Sequence, residues 1–371
     1  MEPILMKTLS GEVITDKQSW ESFRKEEILH LFQHYVYGER PVERPDDLAF
    51  CVEEVNEDFH GMIYKKIRIS FRGYSFAVKA FYPKSDRPVP AFVYGMHEYE
   101  EERSDLDREP NCTYVPVVDI TARGYAVFVV YFSSIYPDCD HHADYQAGIF
   151  TVLSPEREKR KESDWASISA WSWAESRVMD YIETDPAIDK DNVAVAGHSR
   201  GGKTALWCGA TDSRFSLVIS NCSGCTGAAM LRGKTGEHID YITGVTDWFC
   251  ENYSKYKEQE ELLPVDQHML LALMAPRLLY VASSAEDDWA DPESERRACV
   301  LAGEAYELYG KKGVVLPGLK AKDVNCDKAY HEGAIGYHVA SGGHGICPSD
   351  WKLFMDFWDL KRREREEGQT A

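Results

Sequence analysis

The sequence predicts an α/β fold in which a mostly parallel central sheet carries helices on both faces, a three-layer sandwich. Three observations predict it. Short apolar runs recur along the chain, at 91–94, 126–132, 193–196, 217–220, 278–282 and 335–339, and bounded runs of this length read as strands buried on both faces. Helix-patterned stretches lie between them, the clearest at 165–182, with Ile168, Trp171, Val178 and Ile182 on one stripe. No linker rich in Pro, Gly or Ser divides the chain, so the alternation belongs to one domain over residues 1–371.

The remaining elements follow in chain order. Trp20, Phe23, Ile28, Leu31, Phe32 and Tyr35 recur near helical spacing and Gly38 supplies a stop, so residues 1–45 read as a helical lead-in. Segments 67–70 and 76–81 read as strands of an antiparallel edge. The charged residues 362–371 are expected to fray.

Composition narrows the function classes. The 371 residues carry 42 Lys and Arg against 62 Asp and Glu, a net charge of −20. Such a surface repels phosphate backbones and anionic lipid, so neither nucleic acid nor membrane is expected as a partner. The longest apolar run, near 125–132, is too short to span a bilayer. The start of the chain lacks a basic, then apolar, secretory pattern, and a cytoplasmic protein is expected. Ten cysteines are scattered through the sequence, and the Cys222/Cys225 pair has no second pair at zinc-site spacing. His141 and His142, beside Asp140 and Asp144, read as a polar loop rather than a metal site. No metal or organic cofactor is expected.

Chemistry enters at Gly197-His198-Ser199-Arg200-Gly201. An apolar strand precedes this G-x-S-x-G and a helix-compatible run, Ala205, Leu206, Trp207 and Ala210, follows it. That is the strand–turn–helix setting of a nucleophile elbow, and it narrows the fold to the α/β-hydrolase type. The turn lifts a serine hydroxyl above the sheet, and the helix that starts there favours negative charge at its N-terminus. Chain order in such folds is Ser, then Asp or Glu, then His. Loop 283–292 follows the strand at 278–282 and offers Glu286, Asp287, Asp288 and Asp291. Asp287 is the expected acid, with Asp288 the alternative, and Asp291 before Pro292 suits a helix cap. After the last strand, Gly342-Gly343-His344-Gly345 places His344 in a loop free to act as general base, whereas His338 lies within the strand. An oxyanion hole needs two donors, expected from the backbone N–H of Arg200 and from the loop 95–98.

Larger stretches carry a resemblance. Asp164-Trp165-Ala166-Ser167, Tyr181-Ile182-Glu183-Thr184-Asp185-Pro186, Gly197 to Trp207, Trp248-Phe249-Cys250, Asp266-Gln267-His268 and Trp289-Ala290-Asp291-Pro292 are similar to the bacterial branch of carbohydrate esterase family 15, the glucuronoyl esterases. The resemblance implies a triad of Ser199, His344 and an acid, with the Arg200 guanidinium aimed at the oxyanion. It implies that Lys203 and Trp289 contact a uronate sugar, with Gln267 and Glu237 on the same surface. One position departs from the pattern. Many members place a catalytic glutamate where this chain has Cys222, and a thiol cannot orient a histidine as a carboxylate does. Other members place the acid after the later strand, which favours Asp287. The implied activity is hydrolysis of an alkyl or aryl ester of a hexuronic acid on a small molecule or oligosaccharide. The alternatives are an intracellular sugar acetyl esterase and an inactive hydrolase fold that only binds glycans.

Overall fold

A computed structural model describes residues 2–138, 145–154, 156, 159–318 and 324–370. Among the described residues nine strands form one sheet in the order β1-β2-β3-β5-β4-β6-β7-β8-β9. They are β1 (Ala49–Phe59), β2 (Met62–Phe71), β3 (Tyr74–Tyr82), β4 (Val89–Met96), β5 (Ala126–Tyr131), β6 (Ile188–His198), β7 (Leu217–Asn221), β8 (Leu278–Ser284) and β9 (Ile335–Ala340). Pairings from β5 through β9 are parallel, and β1, β2, β3 and β5 pair antiparallel. Side chains alternate between the faces: Val93, Val195 and Val218 enter one core, while Phe92, Tyr94, Ala194 and Ala196 enter the other. The first face is covered by helices Ser167–Ile182, Arg200–Thr211 and Pro292–Glu307, the second by Val117–Ala122 and Pro348–Thr370. This is the three-layer α/β-hydrolase sandwich that the strand–helix alternation predicts.

Every apolar run read as a strand lies in the sheet, except that the run at 126–132 leaves it after Tyr131. The edge strand β1 went unread because Glu53, Glu54, Asn56, Glu57 and Asp58 are exposed and mask its alternation. Two-residue turns with positive φ, His60-Gly61 and Arg72-Gly73, join β1, β2 and β3.

The lead-in is helical only from Lys17 to Tyr37. Its buried row is Trp20, Arg24, Ile28, Phe32 and Val36, every fourth residue. A plain α-helix would rotate that row off the core. Two π-helical turns, Trp20–Arg24 and Gln33–Tyr37, widen the winding and hold it in place. Phe23, expected in the stripe, is 61% exposed as a result.

The frayed tail is a second correction: the last helix continues to Thr370. Lys361 pairs with Glu364 at 2.9 Å, and Arg365 donates to the Asn192 side chain at 2.7 Å. Helix Ser167–Ile182 is buried all round rather than on one stripe. Arg40 of the lead-in reaches Ser172 on its outer side, and Trp173 donates to the Val42 carbonyl at 2.9 Å. No helix among the described residues is long and apolar enough to cross a membrane. The residues 140–144 of the polar loop lie outside the described residues.

Candidate active site

Strand β6 ends at His198, and helix Arg200–Thr211 starts two residues later. Ser199 between them is held at φ 56°, ψ −123°, and its N–H donates to the Asn221 carbonyl at 2.9 Å. Such a backbone is strained for a residue with a Cβ, and strain of this kind collects at functional turns. The flanking glycines let the turn close. A Cβ on Gly197 would lie 2.1 Å from the Gly201 carbonyl oxygen, and one on Gly201 would lie 3.1 Å from that of Gly95.

The loops after β7, β8 and β9 surround this serine. Ser199, Arg200, Cys222, Asp287 and His344 line one cleft of about 370 Å³, together with Lys203, Glu237, Tyr241, Trp248 and Trp289. His344 Nδ1 lies 2.6 Å from Asp287 Oδ2. Asp287 is buried, and its other oxygen accepts the Ala290 N–H at 3.1 Å. Burial would raise this carboxyl, but the hydrogen bond and charge of His344 and the Ala290 N–H outweigh it and hold it below the usual carboxylate range. Asp288 and Glu286 are exposed, and Asp291 caps helix Pro292–Glu307 by accepting the Ser294 N–H. Geometry therefore pairs Asp287, not its neighbours, with His344. His338 is buried in β9, between Asp350 at 2.9 Å and the Tyr280 hydroxyl at 3.0 Å.

Two further buried groups lie close to the triad, one beside His344 and one near Asp287. His198 packs its ring 4.7 Å from that of His344 and shares a 2.6 Å hydrogen bond with Asn221 Oδ1. Burial, chiefly, pushes His198 down to about 3, so it supports His344 as a neutral ring. Glu295 is fully buried behind the loops. It accepts from the Gly224 N–H at 2.9 Å and the Ser283 hydroxyl at 2.6 Å. Burial pushes its carboxyl up to about 7, from an ordinary 4.5, against the pull of those two donors. As pH rises from about 4.5 to 7, the folded state keeps a proton that the unfolded chain has released, so stability falls across that window. Glu295→Gln removes this titration. Its Tm relative to wild type is expected to climb by a few degrees between about pH 5 and 8, read by thermal melts at both values.

Arg200 leans over the cleft with its guanidinium 4.7 Å from the Trp248 ring, and it ion-pairs with Asp138. Trp248 Nε1 donates to the same carboxylate at 2.9 Å. Arg200 Nε is buried and has no hydrogen-bond partner among the described residues. Of loop 95–98, expected to give the second backbone donor, the His97 N–H is engaged elsewhere. The N–H of His97 points to Glu100 Oε2 at 3.3 Å, and Glu100 is itself buried and accepts from the Tyr94 hydroxyl at 2.8 Å.

The sugar-side candidates divide. Lys203 is buried and spends all three donors inside the protein: on the carbonyls of Ser223 at 2.8 Å and Cys225 at 2.5 Å, and on Glu237 at 3.0 Å. It orients Glu237 rather than reaching out as expected. Trp289 is 48% exposed at the rim, with the Tyr241 ring edge-on at 4.9 Å. Gln267 is not brought to the cleft: it is fully buried and donates to the Gly227 carbonyl at 2.7 Å. Tyr241, in the short helix Ile239–Val245, and Asp138, in a loop, carry no local motif, so nothing in the sequence marked them as part of the site.

A strained serine at a helix N-terminus, a carboxylate-paired histidine and an arginine converging on one cleft can carry out acyl transfer through a covalent intermediate. Fold and site together define a serine hydrolase of the α/β-hydrolase class. A family model of fungal glucuronyl esterases matches residues 147–310. Carbohydrate esterase MZ0003, from an unknown prokaryotic organism, is 33% identical over 392 aligned positions that cover 96% of this chain and 88% of that protein. The solved structure of a glucuronoyl esterase from Solibacter usitatus superposes with a TM-score of 0.87 at 31% identity, covering 97% of each chain. That of a promiscuous CE15 esterase from a marine bacterial metagenome gives 0.82 at 32% identity, over 97% of this chain and 96% of the other. The chain belongs to carbohydrate esterase family 15, the glucuronoyl esterases.

Proposed function

We propose that this protein hydrolyses alkyl or aryl esters of glucuronic acid, free or carried on an oligosaccharide, through a Ser199–His344–Asp287 triad. The observation that carries the reading is the 2.6 Å contact between His344 Nδ1 and Asp287 in the cleft that holds Ser199. Asp287 fixes the imidazole with its proton on Nδ1, which leaves Nε2 free to take the Ser199 proton. The Ser199 oxygen attacks the ester carbonyl, and the backbone N–H and guanidinium of Arg200 stabilise the oxyanion. His344 protonates the departing alcohol. Water then attacks the acyl-enzyme with the same base, releasing the uronic acid and restoring the Ser199 hydroxyl.

The rest of the cleft suits a sugar on the acyl side. Glu237, held by Lys203, accepts from sugar hydroxyls, and Trp289 offers an exposed face to the pyranose ring. Removing that face with Trp289→Ala is expected to raise KM for benzyl glucuronate about 3- to 10-fold. It should leave kcat/KM for 4-nitrophenyl acetate nearly unchanged, because the small acetyl group does not reach the rim. The substrate class is tested by comparing benzyl glucuronate with an acetylated xylose under steady-state conditions. Preferred cleavage of the glucuronate supports the proposal, whereas cleavage of the acetate alone reassigns the same triad to deacetylation.

A further inference from the structure

Cys222 follows β7 and lines the cleft, and the triad of Ser199, His344 and Asp287 leaves its thiol without a part in the reaction. Its side chain is buried at the cleft floor, with the sulfur 3.2 Å from the Ser284 hydroxyl and 3.7 Å from the Gly345 carbonyl. Both are weak partners for a thiol. Cys222, Asp287 and His344 each present one ligand atom, and these atoms lie within 4.8 Å of one another. They come from the loops after β7, β8 and β9, so the sheet itself brings them together.

We propose that Cys222, Asp287 and His344 form an inhibitory site for a thiophilic divalent cation, of which Zn²⁺ is the simplest. Sulfur, imidazole nitrogen and carboxylate oxygen are the three donors zinc selects, and in a tetrahedral site they stand about 3.5 Å apart. His344 Nδ1 and Asp287 Oδ2, now 2.6 Å apart, open to that spacing while the Cys222 sulfur, within 4.8 Å of both side chains, closes to it, and the half-exposed His344 is free to make the shift. Asp287 keeps its Ala290 N–H on the other oxygen. The fourth position faces the open cleft and takes water.

The chemistry balances in one step. The cation displaces one proton from the Cys222 thiol to solvent and binds the thiolate. It also takes the Nδ1 lone pair, so the His344 proton moves to Nε2. An Nε2–H cannot accept the Ser199 proton, and hydrolysis stops until the metal leaves. Thiolate and carboxylate together neutralise the divalent charge.

This inference goes beyond the uronate reading and rests only on His344 as the base, so 4-nitrophenyl acetate serves as substrate. Inhibition by buffered free Zn²⁺ is measured for wild type and Cys222→Ser, with reversal by EDTA. A parallel titration adds Cd²⁺ to Ser199→Ala and to Ser199→Ala/Cys222→Ser and records the thiolate-to-cadmium absorption band, which needs no activity. Subtracting the second titration removes the contribution of the exposed Cys51 and Cys326. The expected results are EDTA-reversible inhibition that requires at least about tenfold more metal in Cys222→Ser, and one equivalent of the band lost with Cys222. Equal sensitivity of the two proteins, or bands that superimpose, overturns the site. A lost band with no inhibition of wild type overturns the switch while leaving the binding. Cys222→Ala gives the same comparisons if the serine variant proves unstable.

Discussion

Ser199→Ala is expected to lower kcat for benzyl glucuronate on the order of 10⁶-fold while the protein stays folded. The chemical loss is large, because Ser199 at the elbow supplies the oxygen that forms the acyl-enzyme. Whatever rate survives comes from water attacking an ester that Arg200 still polarises. The structural loss is small. Alanine keeps the Cβ, so the strain at φ 56° is the same in both proteins, and the anchoring bond to Asn221 comes from the backbone N–H. Thermal melting that matches wild type, beside the collapse in kcat, separates a lost nucleophile from a damaged elbow.

Asp287→Asn is expected to cost about 10⁴-fold in kcat. Asparagine fits the volume and still accepts the Ala290 N–H through its oxygen. Its amide then turns N–H groups toward His344 Nδ1, and the imidazole carries its proton on Nε2, where it blocks the transfer from Ser199. Cys222 cannot substitute, since burial holds its thiol well above the usual range and its sulfur already faces Ser284 and Gly345. Asp288→Asn makes the comparison sharp. That side chain is exposed and should leave kcat within about twofold of wild type, as surface changes commonly do. Steady-state kinetics on the two variants decide which carboxylate serves the triad, and a loss below tenfold in Asp287→Asn would contradict the assignment.

The parts of this protein that were legible in its sequence are those whose signal is contiguous. The elbow packs strand, turn and helix into about a dozen residues, so Gly197, Ser199 and Gly201 announce themselves. The buried strands are short, mostly apolar runs, with isolated exceptions such as Ser220 and His338. His344 stands out because a glycine-rich loop follows a strand at the right point in the order. Signals that depend on what surrounds a residue did not carry. Strand β1 is polar on both faces, and only its pairing with β2 makes it a strand. The tail holds a helix through side-chain pairs rather than burial. Four acids crowd the loop after β8, and which of them turns inward is set by the cap at Asp291 and the Ala290 N–H, not by composition. Lys203 and Gln267 followed from family resemblance, yet the fold spends the lysine on buried carbonyls and keeps the glutamine in the core. Arg200 was legible as a neighbour of the serine, but Asp138 and Trp248, which hold it over the cleft, come from distant loops.

The proposed chemistry requires Ser199 to form a covalent acyl-enzyme within this cleft. It is tested most directly by treating the protein with a serine-directed phosphonate ester and following intact mass and residual hydrolysis of benzyl glucuronate together. The expected result is a gain of one phosphonyl group per chain, mapped to Ser199, with activity lost in step and no adduct on Ser199→Ala. An unmodified protein that still hydrolyses the glucuronate, or equal labelling of Ser199→Ala, would contradict it.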